Sequence, residues 1–189
     1  MFFEQTKNRY IAYKRKNVKS MFEVLNVFNK LEKQKIPIGS FLVVYGAGGS
    51  KTCAAYMEVD SEIVIDQTLY YYIADTEDEA IFVTALLNSN SIEKVNAAYQ
   101  AQGQFGKRHI HTLPAESIPA FDYDNQNHIE LVSITKSLMS SLNRKTPAAK
   151  LNPNKGPVAN RRTAINKILV GLPEYDSYED LCMKIITEH

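Results

Sequence analysis

The chain has 189 residues, 44% of them hydrophobic and 23% charged, with a formal net charge of +1. These values suit a soluble globular protein of one domain, or one domain plus a small appendage, with a real apolar core. They exclude a membrane-spanning helix, because no apolar run approaches the roughly 20 residues such a helix needs. The start "MFFEQTKNRYIAYKRK" has no apolar h-region, so no secretory signal is expected. Cys53 and Cys182 form neither a C-x-x-C pair nor a disulfide framework, which points to a reducing, cytoplasmic compartment.

Charge is unevenly divided. Residues 1–35 carry nine Lys/Arg against three Asp/Glu, residues 36–100 carry two against nine, and residues 101–155 carry seven against four. A basic arm, "KNRYIAYKRKNVK", and a basic middle stretch therefore flank an acidic block. If the two basic segments meet in space they make a polyanion-binding face; otherwise they are solvated surface lysines.

In chain order, Ser20 opens a capping box with Glu23, and "MFEVLNVFNKLEKQ" repeats apolar residues at helical spacing until Pro37 and Gly39. Strands are expected near 41–46, 52–58, 62–66 and 68–74, joined by links too short for helical crossovers, so the sheet is largely antiparallel. Thr76 and Glu79 form a second capping box ahead of the helix "DEAIFVTALLNS". Ser91 is placed to cap a further helix, "IEKVNAAYQAQGQ", closed by Gly103 and Gly106. "GKRHIHTLPAESIPAFD" reads as extended, and a long helix is expected over 126–142. "TPAAKLNPNKGP" is the clearest linker, and two short helices follow it. The fold class is α+β: a small mixed, largely antiparallel sheet packed with several helices. The expected organisation is a domain over 1–145 with an N-terminal basic arm and helix, a linker over 146–157, and a helical appendage over 158–189.

The stretch "FLVVYGAGGSKTCAAY" looks like a phosphate cradle but departs from one. A P-loop needs G-x-x-x-x-G-K-[ST], and here Ser50 precedes Lys51 while Tyr45 holds the first glycine position. G-x-G-x-x-G fails at Lys51. The residues that follow read as strand, so this is a glycine turn between two strands. No G-x-S-x-G elbow and no H-E-x-x-H occur. His109 and His111 could begin a metal site, but spacing names no third or fourth ligand, so no metal is assigned. The carboxylates Asp75, Glu77, Asp78 and Glu79 sit where negative charge stabilises a helix N-terminus. Of the consecutive Tyr70, Tyr71 and Tyr72, alternate rings should face the core.

Taken in order, "IVIDQTLYYYI", "DEAIFVTALLNS", "KRHIH" and "SIPAFD", after the strand and glycine turn, resemble the C-terminal target-recognition region of N6-adenine DNA methyltransferases. This is the specificity region of restriction–modification enzymes, in type I and type II methylase-like chains. The resemblance spans roughly residues 36–124. The Asn/Asp-Pro-Pro-Tyr/Phe motif and the glycine-rich S-adenosylmethionine loop of that family are absent from this chain. The resemblance therefore implies a target-recognition-like fold and a DNA-binding module that is not an enzyme on its own and holds no cofactor. S-adenosylmethionine would bind a separate catalytic domain or subunit. Partners are expected to be double-stranded DNA and that catalytic partner, with possible self-association through helices that follow the sheet.

A methyltransferase acting on a duplex must flip its target base out, and its recognition domain holds the neighbouring strand. On this reading Lys51 meets a phosphate or guanine edge, and Ser50 and Thr52 donate to phosphate oxygens. Gln67 pairs with adenine and Arg108 with guanine. Lys107, His109 and His111 add donors, while Lys14, Arg15, Lys16 and Lys19 supply salt-sensitive phosphate contacts. Two other readings stand beside it: a protein-interaction or scaffold domain of the same fold, and an independent small enzyme for which no catalytic constellation closes.

Overall fold

A computed structural model describes residues 2–13, 19–26, 29–46, 52–66, 68–97, 102–103, 106–107, 117–146 and 157–189. Its centre is a three-stranded antiparallel sheet in the order β2-β1-β3, with β1 at Phe41–Gly46, β2 at Ala54–Glu58 and β3 at Leu69–Ala74. The register pairs Val43 with both Tyr56 and Tyr72, and Tyr45 with both Ala54 and Tyr70. Val43 and Ala74 on this face pack against Ala80 and Leu87 of helix α3, Glu77–Asn88. The α+β class expected from the sequence is the class observed.

Helix α3 begins as its capping box requires: the Glu79 N–H donates to Thr76 Oγ1 at 3.2 Å. The Glu79 carboxylate reaches one residue further back than a simple box, to the N–H of Asp75 at 2.8 Å. Beyond the first turn almost every side chain of α3 is buried. Ile81, Phe82, Ala85 and Leu86 enter a second cluster with Leu131, Val132 and Leu138 of α5 (Gln126–Lys145) and with Tyr178, Leu181, Cys182 and Ile185 of α7 (Tyr175–Glu188). The helix thus serves two cores, one on each side.

Several local expectations give way to tertiary structure. The basic N-terminal arm contains a helix, α1, over Phe2–Tyr13. The helix opened by Ser20 and Glu23 keeps its capping box, at 3.2 and 2.7 Å, but α2 covers only Met21–Leu25. Asn26 Oδ1 then accepts from the Leu31 N–H at 3.0 Å, and Asn29 takes a left-handed φ of 56°. Asparagine tolerates both roles, and both divert the backbone from helix. Pro37 and Gly39 form the turn that leads into β1: the Ser40 N–H donates to Pro37 O, and Gly39 has a φ of 86° that favours glycine. The strand expected at 62–66 is irregular. Its Ile65 backbone is held instead by the side-chain amide of Gln34, which donates to Ile65 O at 2.7 Å and accepts from Ile65 N–H at 2.8 Å.

Ser89, not Ser91, caps helix α4, Asn90–Ala97: its Oγ accepts from the Ile92 N–H at 3.2 Å. Gly103 and Gly106 do not close that helix. They pair with each other in a small ribbon of β4 (Gln102–Gly103) and β5 (Gly106–Lys107). Helix α5 runs three residues past its expected end, to Lys145. The two final helices form as expected, with α6 over Pro157–Val170. However, α7 is no appendage: its apolar side is spent in the main core rather than left open for self-association. Tyr178 Oη donates to Ala85 O at 2.6 Å, and the Glu179 carboxylate accepts from the Asn90 N–H at 3.0 Å. Among the described residues no helix is long and apolar enough to cross a membrane.

Segment 118–122 is pinned by His128, whose Nδ1 accepts from the Asp122 N–H at 3.1 Å and whose ring lies 4.5 Å from that of Phe82. Burial lowers the His128 pKa, with Asp122 opposing. The unfolded chain therefore takes up this proton first. The stability held by the neutral ring is intact above the ordinary value of 6.5 and lost as pH falls below it through the lowered folded value. Urea unfolding at about pH 7.5 and about pH 5.5 should show a larger loss for the wild-type chain than for His128→Gln.

The two cysteines should separate cleanly in reactivity. Cys53 is exposed, whereas Cys182 is fully buried and burial pushes its thiol pKa far up. A thiol-reagent titration should modify Cys53 in the native protein and reach Cys182 only in denaturant.

Candidate nucleic-acid interface

The register gives the sheet two chemically different ends. At one end, β1 finishes at Gly46, opposite Leu69 at the start of β3, and Tyr45 lies opposite Ala54 at the start of β2. The glycine link and the entry to β3 therefore leave from the same end. Asp66 delivers the chain into β3: its Oδ1 accepts from the Thr68 N–H at 2.9 Å and its carbonyl from the Leu69 N–H at 3.0 Å. The rings of Tyr45 and Tyr70, 5.6 Å apart and tilted by 34°, lie beside this end, and burial raises the Tyr45 pKa, with Tyr70 adding to it.

This end is held by Asn88, the last residue of α3. Its Oδ1 accepts from the Ala54 N–H and its Nδ2 donates to Ala54 O, both at 2.9 Å. One side chain thus satisfies the outward backbone groups of an edge strand at the point where the strand leaves the turn. The asparagine of "LLNS" has this structural role, which a local pattern of helix positions does not announce.

The opposite end is acidic. β3 finishes at Ala74, and Asp75, Glu77, Asp78 and Glu79 follow at once. Three of these carboxylates are tied down: Tyr56 Oη donates to Glu77 at 3.0 Å, Tyr72 Oη donates to Glu79, and Lys136 Nζ meets Asp78 at 2.6 Å. Burial, and then the bonded carboxylate, push Tyr56 and Tyr72 up to about 12. Tyr123 Oη adds a bond to Thr76 Oγ1 at 3.3 Å. Sequence reasoning placed the carboxylates at a helix start and missed their tyrosine partners, which come from strands brought alongside by pairing.

A cleft of ≈ 360 Å³ opens between the sheet and α3, bounded by Tyr45, Tyr71 and Tyr72 on one side, Glu79, Val83 and Leu87 on the other, and segment 118–121.

Of the candidate DNA-contacting residues, Thr52 is buried, with 4% of its surface exposed. Its hydroxyl is therefore not presented to solvent as a phosphate donor. Lys19 is exposed, and its carbonyl accepts from Tyr10 Oη at 2.6 Å. Lys107 lies on β5, paired with Gln102. Lys14, Arg15, Lys16, Ser50, Lys51, Gln67, Arg108, His109 and His111 lie outside the described residues. Among the described residues no group of three or more His, Cys, Asp or Glu side chains is placed to hold a metal.

Neither protein-family models nor the curated proteins give a match to this chain.

Truncation at Asn88 tests whether this side chain holds the turn end of the sheet. Asn88→Ala leaves both Ala54 backbone groups without their partner and should lower unfolding free energy by about 1–3 kcal/mol in urea titrations.

Proposed function

We propose that this chain is a DNA-binding target-recognition module of an N6-adenine DNA methyltransferase, working with a catalytic domain or subunit that binds S-adenosylmethionine. The observation that carries the reading is the polarity of the sheet. The link containing Ser50 and Lys51 and the approach containing Gln67 depart from the end opposite the carboxylates. On this reading a polyanion approaches the end from which that link departs, and is kept off the acidic end by like charge. The ordered sequence resemblance supports the same reading. In this role the module positions and specifies, while base flipping and methyl transfer belong to the catalytic partner, in the cytoplasm.

The acidic end favours a second reading, a protein-interaction or scaffold domain that does not bind DNA.

Fluorescence anisotropy with a labelled duplex separates the two. Binding should weaken steeply from low to physiological salt, and Lys51→Ala combined with Arg108→Ala should weaken it further, with the lysine reducing the salt slope by about one. Absence of binding at low salt, both alone and with the catalytic partner present, would contradict the DNA reading.

A further inference from the structure

The cleft beside β3 is not used by the DNA reading and has a chemistry of its own. One wall is a single line along α3, with Glu79, Val83 and Leu87 each one turn apart. Facing it are the rings of Tyr45 and Tyr72, and segment 118–121 closes the third side. The lining is mainly apolar and aromatic, and among the described residues its one charged side chain is Glu79.

That carboxylate is fixed in place. Its Oε1 accepts from Tyr72 Oη and its Oε2 from the Asp75 N–H at 2.8 Å. Each oxygen retains further accepting capacity. The neighbouring cation, Lys136, is bonded to Asp78 rather than to Glu79. With Asp75, Glu77 and Asp78 alongside, the potential at this end of the cleft is negative.

We propose that the cleft binds a cationic nitrogen carried on an apolar or aromatic stem. The ammonium or guanidinium sits at Glu79, and the stem lies along Val83, Leu87 and the tyrosine rings. The charge-assisted bond supplies orientation, and the tyrosine faces add cation–π attraction. A volume of ≈ 360 Å³ is near the lower bound of ligand sites, so it suits a small amine or one lysine or arginine side chain from a partner. Anions are repelled there, and a neutral ligand of the same shape gains no charge-assisted bond. This inference does not depend on DNA binding.

The test is NMR of the tyrosine rings during titration with phenethylammonium, with N-acetyl-arginine amide, and with neutral phenethyl alcohol. At least one cation should produce saturable shifts, with the alcohol about tenfold weaker or more. Preference for phenethylammonium assigns a free amine, and preference for the arginine derivative assigns a partner's side chain. Glu79→Gln should weaken the cation about tenfold and leave the alcohol unchanged. Because Glu79 also holds Tyr72, a second variant, Val83→Phe, fills the cleft and should abolish binding of both probes. No saturable binding of either cation, equal affinity for the alcohol, or cation affinity retained in either variant would overturn the proposal.

Discussion

The burial of α3 on nearly every side fixes the arrangement of the sheet and of the helices behind it. Ile81, Phe82, Leu86 and Leu87 are each at most 2% exposed, and each contributes about 1.5–3 kcal/mol relative to an exposed position. Leu87 is directed to the sheet, the other three to α5 and α7. A helix with apolar residues on two faces cannot dock on a sheet alone. It needs a second layer, which α5 and α7 supply. Polar bonds set the register of that layer: Tyr178 reaches the Ala85 carbonyl, and Glu179 reaches the first N–H of α4. The C-terminal helix is thereby part of the fold's core, although the chain from 146 to 157 reads as a linker.

The same helix sets the polarity of the sheet. Its N-terminus collects carboxylates, where the macrodipole stabilises them, and strand tyrosines hold two of them. Its C-terminal residue, Asn88, reaches the other end and ties β2 to the point where the glycine link returns. One rigid element thus separates an acidic end from the end that carries the proposed DNA-contacting link. The cleft lies between them, with its carboxylate at the acidic side.

Much of the fold was legible where the signal is local. The Thr76–Glu79 and Ser20–Glu23 boxes are statements about four consecutive residues, and both form. Strands β1 and β3 were legible for the same reason, in short runs of β-branched and aromatic residues. The strand expected at 62–66 failed because Gln34, 31 residues away from Ile65, satisfies the backbone that a neighbouring strand would have paired. The helix after Ser20 stopped early because Asn26 and Asn29 bond and bend locally, against an apolar spacing that favoured continuation. The role of α7 was not legible, because contacts such as Glu179 with Asn90, 89 residues apart, leave no periodic trace. At the candidate site, residue types suggested Thr52 as a donor, but it is buried. The acidic cluster was found, but not the tyrosines that bind it.

The central claim is that the sheet's two ends have different partners, and chemical-shift mapping with a short duplex tests it most directly. At low salt the account predicts perturbation of backbone resonances at Gly46, Ala54 and Leu69, with Phe41, Glu58 and Ala74 at the acidic end unmoved. Perturbation centred on Glu58, Ala74 and the start of α3, or no perturbation at either end both alone and with the catalytic partner present, would contradict it.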